Sequence, residues 1–131
     1  MNVRGIAAVT LIFISAPLAA AGDDPSDKLE CAAHYQLISA LMEMSSSSKN
    51  RNADPVDLAK TERSMVAYRE RAKELMVKAG RMVAVDTDLP KDVLDREEAL
   101  FSSLMKGEIN MDAVVRGVTK CNRDYGFQDI P

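Results

Sequence analysis

The chain has no tryptophan, one histidine and two cysteines among 131 residues. Each shortage closes off some chemistry. A structural zinc site takes about four Cys or His ligands, and His34 with both cysteines falls short of that. No C-x-x-C-H run is present for covalent c-type haem. No glutamate stands three residues before a histidine, the pairing that di-iron bundles draw from two helices. A G-x-S-x-G elbow is missing, and His34 is the sole base that serine or cysteine hydrolysis could use. The sequence therefore points away from an enzyme.

Basic excess is missing too. Seventeen Lys and Arg stand against 20 Asp and Glu, a net charge of -3. A general nucleic-acid binder needs a basic face, so that class is set aside. Apolar runs are short: the longest, Ile6 to Ile14, falls below the roughly 20 residues that span a bilayer.

That apolar run has the setting of a secretory signal. Arg4 supplies the positive start, Leu11, Ile12 and Phe13 the apolar heart, and Pro17 the break. Ala19-Ala20-Ala21 offers small residues for cleavage before Gly22. Residues 1–21 are thus expected to leave as a signal peptide, with 22–131 as one helical domain in the periplasm or outside the cell. Loss of Arg4 with no acid lost makes the remainder slightly more acidic.

Both cysteines lie in the remainder, in a compartment where disulfides persist. One intramolecular pairing is possible, Cys31 to Cys121. On the chain-entropy model a loop of that size is worth roughly 4–5 kcal/mol, which matters in a chain too short for a large core.

Periodicity gives four helices, about 25–44, 55–85, 90–106 and 111–125, and no strand alternation. Asp24-Pro25 and Asp54-Pro55 are start signals, as is Asn110 before the last helix. The first helix carries Cys31, Tyr35, Ile38, Leu41 and Met42 on one stripe. The polar run from Ser45 to Asn52 reads as a loop. The second helix is expected to be the longest. Leu58, Thr61, Met65, Tyr68, Ala72, Leu75, Ala79 and Met82 form a bundle-type seam that carries it past Gly80 to about Val85. The third buries Val93, Leu94, Leu100, Phe101 and Leu104. The fourth buries Met111, Val114, Val115, Val118, Cys121 and Tyr125, with stops at Gly107 and Gly126. Short loops favour antiparallel neighbours, hence an all-α, up-down-up-down four-helix bundle with a long second helix and one disulfide staple. In that topology the start of the first helix meets the end of the fourth, as the Cys31–Cys121 pairing requires.

Candidate sites are few. Thioethers suit Cu(I), and Met42-Glu43-Met44 is an M-x-M element, although i and i+2 point to different helix faces. A non-covalent haem would be held between His34 and Met76 or Met82 at one end of the bundle. Glu97-Glu98 fits the acid preference of an early helix turn, and Arg69-Glu70-Arg71 reads as a solvated face. If the second helix overhangs its neighbours, Met82, Val83 and Val85 form an apolar patch for a partner.

The expected function is a non-catalytic binding module, without a resident cofactor, for another protein or a second copy. The alternatives are a haem or copper carrier and a periplasmic stress chaperone. The latter resembles small periplasmic acid-stress proteins in size, helices and single disulfide.

Overall fold

The computed structural model describes residues 25–49 and 54–130. The signal segment 1–21, the Gly22 start, the Asp24 cap and residues 50–53 lie outside the described residues. Four helices make up the fold: α1 (Pro25–Lys49), α2 (Pro55–Lys78), α3 (Lys91–Met105) and α4 (Met111–Tyr125). No strand occurs among the described residues. Cys31 and Cys121 are bonded, with Cα atoms 5.7 Å apart. The all-α bundle with its disulfide staple is therefore the fold.

The bundle is organised around α1, which packs against each of the other three helices. Its middle is buried on every side, at Cys31, Ala32, Ala33, Tyr35, Leu37 and Ser39. A single apolar stripe does not describe such a helix; its small residues do. Alanines at 32 and 33 let neighbours approach closely, and the Ser39 hydroxyl is satisfied by donating to the Met65 carbonyl, 3.1 Å away. The α2 seam follows its expected spacing, with Met65, Tyr68, Ala72 and Leu75 buried. Tyr35 lies beside Tyr68 and Ser39 beside Met65, so α1 and α2 run antiparallel.

Two helix ends differ from expectation. α1 continues through Ser45 to Lys49, so the serine run begins as helix. Serine is a neutral helix former, and four in succession do not break a helix already propagated from a packed core. α2 ends at Lys78 rather than near Val85. Gly80 adopts φ 72°, and the amides of Gly80 and Arg81 return to the carbonyls of Val77 and Met76. This is a Schellman stop, which a glycine in the left-handed region makes cheap. At 24 residues α2 remains long, but α1 has 25, and the projected overhang does not form.

The segment after α2 turns at once. The Val83 amide donates to the Asp86 carboxylate at 2.9 Å, and Arg81 pairs with Asp92 at the start of α3. Asp54 and Asn110 cap α2 and α4 through their side chains, as their positions imply. On α3 and α4 the buried faces are narrower than the apolar pattern. Val93, Leu100, Val114, Val118 and Cys121 are buried, whereas Leu94, Met111 and Val115 are exposed. Both helices lean on α1, so each presents one narrow stripe to it and leaves its flanks open.

Candidate functional site

The richest side-chain cluster lies where α1, α2 and α4 converge. Tyr35 is fully buried on α1, and its ring stacks beside Tyr68 of α2 with centroids 6.0 Å apart. Burial pushes both hydroxyls above the ordinary tyrosine range. The neutral Tyr35 hydroxyl donates to Asn122 Oδ1 at 2.7 Å. Asn122, on α4, is itself buried.

Arg71 enters this cluster from α2. Its guanidinium carbon lies 6.0, 5.9 and 4.9 Å from the ring centroids of Tyr35, Tyr68 and Phe127. The guanidinium donates through Nη1 to Asn122 Oδ1 at 2.9 Å and through Nη2 to the Gln128 carbonyl. A planar cation with several donors suits both tasks at once, stacking on rings while reading amide oxygens. The sequence reading of Arg69-Glu70-Arg71 as a solvated face is therefore corrected for Arg71. The other two fit it, since Arg69 pairs with Glu43 near the surface and Glu70 is exposed. Two helical turns separate Arg71 from Lys78, whose ammonium also approaches the Phe127 ring, at 5.8 Å.

Phe127 belongs to the segment after α4. Gly126, at φ 72°, turns the chain back, and the Phe127 amide donates to the Asn122 carbonyl at 2.8 Å. The segment then lies between α2 and α4, with Phe127 against α2 and Asp129 back against α4. Phe127 meets Tyr35 edge-on, Asn122 Nδ2 donates to Asp129 at 3.0 Å, and Ile130 packs against the core. Three clefts border this strap, of about 690, 390 and 190 Å³. The smallest runs beneath its end, between Ile38, Tyr68, Val115 and Val118.

His34 sits at the other side of α1. Its Nδ1–H donates to the Glu30 carbonyl one turn back, at 2.9 Å. Its Cδ2–Nε2 edge rests against Gly117 of α4, where a Cβ would come within 2.6 Å. The imidazole thus fills the space that a glycine leaves in α4. Beside it, Glu30 forms a two-pronged pair with Arg96 of α3, at 2.7 and 2.8 Å. That guanidinium holds the Glu30 carboxyl below its usual range.

The methionine candidates do not gather around His34. Met42 and Met44 follow it on α1 by about 12 and 15 Å along the axis. Met42 is half-buried and Met44 is 55% exposed, on different sides of an intact helix. Met76 is fully buried in the core. With Tyr35 opposite Tyr68, it sits roughly 10 Å further along the antiparallel pair. Met82 packs partly on the core after the α2 stop. Its neighbours Val83 and Val85 are 59% and 86% exposed, but in a turn rather than on a helical overhang. Among the described residues, no three His, Cys, Asp or Glu side chains converge to hold a metal ion.

Glu97 is half-buried on α3, between Val93 and Leu100. Burial, helped by the neighbouring Glu98 charge, raises its pKa. Of the groups in the main cluster, sequence had flagged Tyr35 and Tyr68 as core. Arg71 carried one overlooked signal: it stands three residues after Tyr68, on the flank of the α2 seam.

Comparison of the chain with protein-family models, with curated proteins and with solved structures returns no match.

Proposed function

We propose that this chain is exported to the periplasm or the cell exterior, loses residues 1–21 on the way, and works there as a non-catalytic binding module for another protein. Export is supported by the Cys31–Cys121 disulfide, a bond that persists in oxidising compartments. No helix among the described residues is long and apolar enough to cross a membrane.

The observation that carries the binding reading is the α1–α2–α4 groove. It joins an aromatic and aliphatic floor to a few directed polar groups, Arg71 and Asn122, which is the composition of a recognition site. His34 is tied to its own helix and wedged on Gly117, a structural duty that accounts for it without catalysis.

Native mass spectrometry of the protein isolated from the periplasm of an expressing bacterium tests this reading. The expected spectrum shows loss of residues 1–21, a gain of a hydrogen pair on reduction, and a co-isolated polypeptide. Retained haem or copper would overturn it in favour of a carrier.

A second reading, an acid-stress chaperone, draws on Glu30, whose carboxyl Arg96 holds below the usual range. Acid that protonates Glu30 opens the ion pair joining α1 to α3. This reading expects client binding to appear as pH falls, and a flat acid titration by circular dichroism removes it.

A further inference from the structure

The folded chain offers a two-electron oxidant one main class of side chain. It contains no tryptophan, and its two cysteines are bonded to each other. The soft thioether of methionine is then the group that a hydroperoxide oxidises first.

The structure divides the methionines into two sets. Met44, Met105 and Met111 are exposed; Met105 is 69% exposed, and Met111 is 43% exposed although it opens α4. Met65 and Met76 are buried on α2. Met42 and Met82 stand between the two sets, each packed in part on the core.

The exposed three also share one end of the bundle. α4 runs antiparallel to α1, since Cys121 meets Cys31 and Gly117 meets His34. Met44 lies roughly 20 Å along α1 from Cys31, and Met111 roughly 15 Å along α4 from Cys121, both towards the end opposite the disulfide. Met105 closes α3 just before the bend into α4.

Oxidation by a hydroperoxide adds one oxygen to sulfur. The O–O bond breaks, the thioether loses two electrons to become a sulfoxide, and the hydroperoxide leaves as an alcohol or, from hydrogen peroxide, as water. On an exposed sulfur the new S=O dipole is solvated by water and disturbs no packing. At Met76, fully buried within the core, it would be a polar acceptor in apolar surroundings, which costs stability. Access runs the same way. The exposed sulfurs meet oxidant in the folded state, whereas Met65 and Met76 react only when α2 opens locally.

We infer that Met44, Met105 and Met111 form a set of oxidation sites that take up hydroperoxide oxygen as methionine sulfoxide while the fold stays intact, and so consume oxidant ahead of Met65 and Met76. The inference is independent of what the chain binds.

The test treats the disulfide-bonded protein with hydrogen peroxide and follows each methionine by peptide mass mapping. Sulfoxide is expected at Met44, Met105 and Met111 about tenfold faster than at Met65 or Met76, the delay being set by local opening of α2. Protein carrying only those three sulfoxides should keep the helical circular dichroism and the melting temperature of the untreated chain.

A second arm gives a limiting dose, one equivalent of peroxide per exposed methionine, to the wild type and to a variant with Met44→Leu, Met105→Leu and Met111→Leu. Leucine nearly conserves the volume of methionine, so the variant is expected to fold. After the dose it should hold more sulfoxide at Met65 and Met76 than the wild type and melt at a lower temperature. Were surface oxidation merely damaging, the variant would instead be the more resistant protein, and that result overturns the inference. Equal rates at exposed and buried sites overturn it too, as does loss of helix when only the exposed three are oxidised. The site-by-site rates in the wild type decide the matter alone if the variant misfolds.

Discussion

At the scale of single residues, His34 and Gly117 form a matched pair. Alanine in place of a helical glycine ordinarily stabilises by about 1 kcal/mol. At position 117 the new Cβ would meet the imidazole at 2.6 Å, and the ring is anchored by its bond to Glu30. Gly117→Ala is therefore expected to destabilise the protein by about 1–2 kcal/mol, the usual cost of overpacking. In a His34→Ala background the same change should become neutral or stabilising. Urea denaturation of the four proteins in a double-mutant cycle measures this, and additive effects would refute the pairing. Sequence marked both cysteines by elimination, but it could not mark this pair. A lone histidine and a mid-helix glycine carry no information about each other until the disulfide sets the register of α4 on α1. Arg71 showed only its spacing from Tyr68, because its partners Asn122, Phe127 and Gln128 lie more than 50 positions away.

At the scale of elements, the four helices were legible because caps and periodicity agree. Asp54, Asn110 and Gly126 each do locally what their residue types imply. What was not legible was which helix sits in the middle. The α1 segment Cys31 to Ser39 mixes alanine and serine with large residues, so its periodicity understates a burial that surrounds it. The α2 stop was written as Gly80 followed by Met82, Val83 and Val85, and backbone geometry won over apolar content. Gly80→Ala should cost about 1–2 kcal/mol for a left-handed non-glycine residue. Its Cβ would meet nothing within 4 Å, so no packing gain offsets that cost. A lowered urea midpoint with unchanged slope is the expected readout.

The attachment of α4 yields a sharper expectation. α4 is held by the disulfide, by Val114 and Val118 on α1, and by the strap. Reduction, or Cys31→Ala with Cys121→Ala, should destabilise the whole by about 4 kcal/mol on the chain-entropy model. It should also raise hydrogen exchange in α4 well before α1 and α2. Uniform exchange across all four helices would show that α4 is held by something other than these contacts.

For the molecule as a whole, the acidic composition matters less than where two carboxylates sit. Glu30 and Glu97 lie on facing helices, and their environments push in opposite directions. Arg96 favours the charged form of Glu30; burial penalises the charged form of Glu97. A lowered folded pKa means that the Glu30 pair stabilises above the unfolded carboxylate value of about 4.3. That contribution is lost as pH falls through the folded value. A raised folded pKa means that Glu97 destabilises at neutral pH, and that this penalty is relieved as acid protonates it down to about 4.3. Glu30→Gln should therefore lower the melting temperature at pH 7 and Glu97→Gln should raise it. Both differences should shrink towards zero once the medium is more acidic than the shifted values. Exposure of the Glu30 pair limits its share to below about 1 kcal/mol, so the rise from Glu97→Gln is the more telling half. A series of melts from neutral to acid separates the cases. If Glu97→Gln fails to stabilise at pH 7, its carboxylate is better solvated than its place between Val93 and Leu100 implies. The acid response of the α1–α3 seam would then rest on Glu30 alone.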